Sequence, residues 1–240
     1  MLLQSAIRAI YPAQCVACDA LTEGDHGLCS ACWSETQFIA GVICDSCGVP
    51  LPGEDYGEAL QCDDCMAIAR PWQHGRAAVA YTGVGRKLVL GLKHGDRTDL
   101  AFPAAQWMAA RLDGIVAEET VVVPVPLHWL RMIKRRYNQS ALLARALGKV
   151  LDRPLCLDAL LRQKATKPLE GHSRDARFAA LADAIVANPK RQSAIAGKPV
   201  LLVDDVMTSG ATLAAAAEAA RNAGAANVSV VTLARVVKDA

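Results

Sequence analysis

Aromatic side chains are scarce in this chain, 5% of its residues, although apolar residues make up 52%. Alanine and the aliphatic residues must therefore fill the interior. No apolar run approaches the roughly 18 residues that a membrane helix needs, so no membrane span is expected. A basic leader followed by a long apolar stretch is also missing. Residues 1–14 carry Leu2, Leu3, Ile7, Ile10 and Tyr11 at helical spacing. They read as a short amphipathic helix packing on the cysteine-rich region after it, not as a signal peptide, and the expected location is the cytoplasm. No Gly-rich run leads into Gly-Lys-Ser/Thr, which excludes a P-loop. An excess of one charge is lacking too: 26 Lys and Arg face 24 Asp and Glu.

Cysteine is what the chain has in quantity. Eight of its 9 cysteines form four Cys-x-x-Cys pairs, Cys15/Cys18, Cys29/Cys32, Cys44/Cys47 and Cys62/Cys65. Each pair can present two thiolates to one metal, and two pairs complete a tetrahedral Cys₄ site. Disulfides would need an oxidising compartment. A redox pair normally stands alone beside a β-α-β pattern. Regular repetition favours two structural Zn²⁺ sites, closed because every ligand is a protein thiolate. Sequential pairing is the simpler assignment, and interleaved pairing stays open. Metal should supply most of the folding energy of so loop-rich a region. The ninth, Cys156, lies in the apolar stretch 155–161 and reads as a buried small residue.

Metal also changes the charge. Eight thiolates holding two dications turn the formal +2 into −2. A nucleic-acid role must then rest on distribution. Residues 128–177 hold 12 Lys and Arg against 4 Asp and Glu, with Arg131, Lys134, Arg135 and Arg136 close together. Such a patch attracts a polyanion: pyrophosphate, nucleotide or nucleic acid. The cysteine region leans acidic and is poor in aromatics, unlike the groove of a single-strand binder.

The boundary falls near 69–74, giving residues 1–70 as a small metal module and 71–240 as the larger domain. Beyond it the pattern alternates. Strands are expected at 76–81, 120–126, 182–187, 200–204 and 228–236. Helices are expected at 84–93, 100–116, 137–150, 173–181 and 211–224. Alternation of this kind implies a mostly parallel α/β sheet flanked by helices.

One stretch carries the most chemistry. Val200 to Val203 form a buried strand, and Asp204 and Asp205 sit where it ends. Thr208, Ser209, Gly210 and Thr212 come next, and an Ala-rich helix starts at about Ala211. A helix N-terminus offers free N–H groups and positive dipole to a phosphate. The acids suit the hydroxyls of a sugar carrying that phosphate, or its Mg²⁺. The site reads as a ribose-5-phosphate cradle at the carboxyl end of a parallel strand.

This stretch resembles the phosphoribosyl-pyrophosphate (PRPP) motif of type I phosphoribosyltransferases. The whole chain is similar to the ComF family, a double zinc ribbon fused to a phosphoribosyltransferase domain. The matching pieces are the four cysteine pairs, residues 92–96 (Leu-Lys-His-Gly-Asp), residues 123–128 (Val-Pro-Val-Pro-Leu-His), Arg135 with Tyr137, Asn138 and Gln139, Thr166 to Pro168, and the cradle. There are departures from the family pattern: Arg136 replaces a Gly, Leu169 replaces a Gln, and of a later Glu-Arg…Asn only Arg177 remains, with Ala176 and Ala180 in the other places.

The resemblance implies transfer of ribose-5-phosphate from PRPP, with Mg²⁺, to an unidentified acceptor with release of pyrophosphate. It assigns Asp204 and Asp205 to catalysis at the ribose hydroxyls and Mg²⁺. Val206, Met207, Thr208, Ser209, Gly210, Ala211 and Thr212 would surround the 5′-phosphate. Lys93, Pro126, Leu127 and Arg131 would complete PRPP binding around the pyrophosphate. Thr208 stands where 6-oxopurine enzymes use Asp, which disfavours hypoxanthine or guanine as acceptor. Two alternatives are a non-catalytic PRPP sensor and a competence factor for DNA uptake. The latter would bind single-stranded DNA through 128–177 and meet proteins of the competence machinery.

Overall fold

Four runs rich in Val, Leu and Ala lie side by side as one parallel sheet in a computed structural model of the chain. The structure describes residues 12–22, 24, 27–54, 57–128, 137–163 and 184–237. The expected helix at 173–181, the expected helix at 1–14 almost entirely, Arg131, residues 134–136 and 166–169, and positions 176, 177 and 180 lie outside these residues. The strands of the sheet are β1 (Gly75–Ala80), β2 (Val121–Pro124), β5 (Pro199–Met207) and β6 (Asn227–Arg235), in the order β1-β6-β5-β2 with every pair parallel. Two short strands, β3 (Leu160–Arg162) and β4 (Ile185–Ala187), form a separate antiparallel pair.

Continuous apolar runs mark strands covered on both faces. Along β5, Leu201 and Val203 face one core and Val200 and Leu202 face the other. The first core is closed by α3 (Gly83–His94), α4 (Ala101–Ala109) and α5 (Gln139–Leu151). The second is closed by α6 (Gln192–Ile195), α7 (Ala211–Asn222) and the β3–β4 pair. Ala at 214, 216, 217 and 220 lets α7 lie close to the sheet. Leu201 and Leu202 are fully buried, and truncating either to Ala should cost about 2–5 kcal/mol.

The cysteine-rich region carries two short helices, α1 (Ser30–Glu35) and α2 (Asp63–Ala67). It does not hang beside the sheet. Phe38 pairs antiparallel with Val79, Ile39 N–H donates to Ala78 O at 2.9 Å, and Ala80 N–H donates to Gln37 O at 2.8 Å. Residues 37–39 thus cover the free edge of β1. Either side of this seam one cysteine cluster enters each core, Cys15 and Cys32 the first and Cys44, Cys47 and Cys65 the second.

Two expected boundaries move. The helix expected at 100–116 ends at Ala109; beyond it the chain turns through tighter bonds such as Leu112 N–H to Ala109 O, and Gly114 takes φ +70°. Leu112 is still buried and Ile115 and Val116 pack on the core, so the apolar period outlives the helix. The strand expected at 200–204, ending at the paired acids, runs on through them to Met207, in register with β6 (Asp204 with Thr232, Met207 with Arg235).

Candidate functional site

At the carboxyl end of β5 the chain leaves the sheet as the loop 208–210 and enters α7 at Ala211. Gly210 sits at φ +82°, a conformation that favours glycine. A Cβ there would lie 3.0 Å from the Arg70 guanidinium and 3.3 Å from the Trp72 ring. Among the described residues, the N–H groups of Thr208, Ser209 and Gly210 take no hydrogen-bond partner. The carbonyls of the same peptides are held. Arg235 Nη1 donates to Met207 O at 3.2 Å and to Thr208 O at 2.8 Å, and Arg70 Nη1 donates to Ser209 O at 2.8 Å. In a planar trans peptide the C=O and the following N–H point opposite ways. Fixing three carbonyls on one side therefore turns three successive N–H groups to the other. Such a concavity, at the start of a helix, suits an anion.

The acids stand beside this loop. Asp204 Oδ1 accepts from Ser140 Oγ at 2.7 Å and from the Asp205 N–H at 2.9 Å. Asp205 is buried and pairs with Lys93 Nζ at 3.0 Å. Burial, and then the neighbouring Asp205 charge, push the Asp204 carboxyl up to about 6, against the pull of Ser140 and Lys93. A carboxyl so placed gains from a cation or from hydroxyl donors.

Two other segments reach the same end of the sheet. Val125 N–H donates to Val203 O at 2.9 Å, so Pro126 and Leu127 begin their loop next to Asp204. Arg131 lies outside the described residues. The Asn138 side chain donates to Val125 O at 3.1 Å, and its Oδ1 accepts from Ser140 N–H at 3.1 Å, capping α5. Tyr137 Oη donates to Leu92 O at 2.9 Å, next to Lys93. Of the named cradle residues, Met207 and Ala211 are buried and Val206 packs on the first core, so their backbone rather than their side chains borders the site. Three neighbours escape the sequence reading. Ser140 could be found as the hydroxyl just after Asn138 and Gln139 at a helix start. Arg235 could be found as a cation in an apolar strand, which is rarely buried without a partner. Arg70, at the expected boundary, gives no such signal.

The cysteines gather as two groups, Cys15, Cys18, Cys29 and Cys32, and Cys44, Cys47, Cys62 and Cys65, with the sulfurs of each group within 4.8 Å of one another. This is the sequential pairing. Cys18 and Cys29 sulfurs lie 3.6 Å apart, and Cys47 and Cys62 sulfurs 3.7 Å. A tetrahedron with Zn–S of about 2.3 Å requires S···S near 3.8 Å, so both groups fit Zn²⁺. The second group is tied to the cradle loop. Arg70 Nε donates to Cys65 Sγ at 3.4 Å, and Arg235 Nη2 donates to Cys47 Sγ at 3.7 Å. Hydrogen bonding with Cys44, and then the Arg235 charge, hold the Cys47 thiol down at about 4 against burial.

Comparison with known proteins finds two families in the chain. Residues 6–66 match the double zinc ribbon domain and residues 101–239 the phosphoribosyl transferase domain. The chain is 29% identical over 233 residues to DNA utilization protein YhgH of Escherichia coli (strain K12), spanning 94% of this chain and 98% of that one. It is 29% identical over 230 residues to Competence protein F of Haemophilus influenzae, spanning 92% and 96%. Among solved structures, the allosteric regulatory enzyme of purine biosynthesis aligns with TM-score 0.37 and 21% identity over 60% of this chain and 30% of that one, an overlap too slight to argue from. Among the described residues no helix is long and apolar enough to cross a membrane.

Proposed function

The chain belongs to the phosphoribosyl transferase domain family and carries a double zinc ribbon ahead of that domain, the organisation of the ComF family, and from this premise we propose that it binds PRPP with Mg²⁺ and transfers ribose-5-phosphate to an acceptor, releasing pyrophosphate. The observation that carries the reading is the row of three N–H groups at Thr208, Ser209 and Gly210 that take no partner among the described residues, set beside Asp204 and Asp205. The loop and the start of α7 hold the 5′-phosphate. Asp204 and Asp205 orient the ribose hydroxyls, with Lys93 fixing Asp205 and Ser140 fixing Asp204. Pro126 and Leu127 open the loop that faces the pyrophosphate, and Arg131 supplies positive charge to it. Asp204 and Asp205 would also hold Mg²⁺, which would supply positive charge to stabilise the leaving pyrophosphate. Residues 1–70 serve as the metal module and 71–240 as the catalytic domain, in the cytoplasm.

The test is thermal. PRPP with Mg²⁺ should raise the melting temperature, because a ligand that binds only the folded state shifts the unfolding equilibrium. Asp204→Asn/Asp205→Asn should abolish the shift. No shift at millimolar ligand, or an unchanged shift in the variant, rejects the reading. Pyrophosphate release with pooled bases separates turnover from binding alone.

A second reading is a DNA-uptake factor that binds single-stranded DNA through 128–177. The names of the relatives, a DNA utilization protein and a competence protein, favour it. So does the local charge, with Arg145, Lys149, Arg153 and Arg162 among the described residues. Removing one phosphate-binding side chain should flatten the salt dependence of binding by roughly one unit. If deleting residues 1–70, rather than changing Arg131, Lys134 and Arg135 to Ala, weakens binding, the patch is misplaced.

A further inference from the structure

We propose that Arg70 and Arg235 are positioning residues through which the second cysteine site, and not the first, sets the shape of the phosphate loop. The inference rests on reading 208–210 as a phosphate site.

Each guanidinium makes the same kind of bridge. Arg70 joins Cys65 Sγ to Ser209 O, and Arg235 joins Cys47 Sγ to Met207 O and Thr208 O. Among the described residues neither forms an ion pair with a carboxylate. Among the described residues the cysteine sulfurs, anionic when they hold zinc, are the partners that answer their charge. Arg235 is 5% exposed, and a buried cation without a counter-charge is strongly unfavourable. The Trp72 ring lies 5.5 Å from the Arg70 guanidinium carbon and so adds a second constraint on it.

Donor chemistry decides the consequence. A thiolate on zinc is a strong acceptor for N–H donors, and such outer partners orient a metal site. A protonated thiol or a disulfide sulfur accepts weakly. Loss of metal from the second site therefore releases both arginines, and with them the three carbonyls that aim the loop's N–H groups. Among the described residues the first site has no such path. Cys15 and Cys32 pack in the first core, and Arg97 reaches Asp19 and Val16 O, on the other side of the sheet.

The experiment uses the full chain loaded with zinc and reads amide hydrogen exchange at two anchored positions. Ala214 N–H donates to Gly210 O at 2.8 Å, and Val236 N–H donates to Met207 O at 3.0 Å. Arg70→Met should keep two zinc ions per chain and speed exchange at Ala214 by about 2- to 30-fold, the range expected for residues along a coupling network. Arg235→Met should do the same at Val236. Arg70→Lys keeps the charge but not the fork that spans both partners, and should not restore slow exchange. Cys62→Ser, which opens the second site, should speed exchange at both positions, and adding Arg70→Met to it should have little further effect. Cys18→Ser, which opens the first, should leave both positions slow. Affinity for PRPP with Mg²⁺ should weaken over the same range in Arg70→Met. The proposal fails if Arg70→Met leaves Ala214 exchange unchanged with both metals bound, or if Cys18→Ser loosens the loop as much as Cys62→Ser. Should Arg235→Met not fold, the Arg70 variants decide. Absence of PRPP binding in the unaltered protein would reject the proposed function but leave the exchange result to judge this inference.

Discussion

The two cysteine sites have the same ligands and nearly the same spacing, yet they are built into the protein differently. The first presents an exposed Cys18 and a half-buried Cys29 to solvent; Cys15 and Cys32 pack in the first core, and the polar ties to the larger domain among the described residues are side-chain contacts from Arg97. The second is seated backbone against backbone. Gly75 N–H and Arg76 both donate to Asp45 O, Trp72 Nε1 donates to Ser46 O at 2.6 Å, and Arg76 and His74 flank the Asp45 carboxylate. Arg76 and His74 hold that carboxyl below its ordinary value despite burial. Identical metal chemistry can therefore stabilise a local knuckle in one place and shape a distant loop in another. Second contacts, not ligands, make the difference.

Breaking each site in turn gives the largest contrast. Cys47→Ser should lose one zinc ion and cost on the order of 3–5 kcal/mol, since it removes a metal and unseats packing in the second core. Cys18→Ser should also lose one ion but unfold only residues around the first site. Calorimetry with metal analysis checks both, and equal losses in melting temperature would erase the distinction.

Glycine substitutions sharpen it without touching metal. A Cβ on Gly75 would sit 2.3 Å from Ser46 O, backbone against backbone, whereas one on Gly27, beside the first site, meets nothing within 4 Å. Gly75→Ala should cost about 3 kcal/mol, and Gly27→Ala less than about 0.5 kcal/mol. Denaturant unfolding of the two variants is the measurement.

The cradle has its own pH signature. Asp204 has a folded value of about 6, raised above the roughly 3.9 of an unfolded chain. Its protonated form favours folding, so its contribution is complete below the unfolded value and is lost as pH rises through about 6. Without ligand, Asp204→Asn should be more stable than the unaltered chain by roughly 1–3 kcal/mol at pH 7.5 and show no advantage at pH 4. The difference should survive Cys18→Ser. A stability gap that widens toward low pH would contradict the cause given for the shift.

The smallest effect belongs to the first site's tether. Arg97 reaches Asp19 and Asp99 from a partly exposed position. Arg97→Ala should cost less than about 1 kcal/mol, as exposed pairs do, and the loss should shrink in high salt.

Much of this was legible in the residues. The eight cysteines announced two metal sites by repetition alone, and the apolar runs at 120–126 and 200–203 announced buried strands. Hydroxyls, glycine and paired acids in register located the loop between β5 and α7. What stayed hidden is long-range. Local pattern does not tell that Asp204 and Asp205 lie inside β5, because register with β6 rather than apolar composition carries the strand past Val203. Nor does it pair Ser140 with Asp204, or Arg70 with Ser209, 139 positions apart. The overextended helix at 100–116 shows the converse: burial of Leu112, Ile115 and Val116 continued an apolar rhythm that the backbone had already abandoned.

The strip 37–39 along β1 has a consequence for the life of the protein in a metal-poor cell. β1 is short and almost wholly apolar, and on its outer side Ala78 O and the Ala80 N–H are matched by this strip. The strip sits between the two metal sites in sequence. Chains made without zinc would lose hold of it and offer an unpaired strand to one another, the template on which sheets join edge to edge. Zinc starvation should then be seen first not as lost activity but as protein leaving the soluble fraction, with the metal acting as a guard on the rim of the sheet.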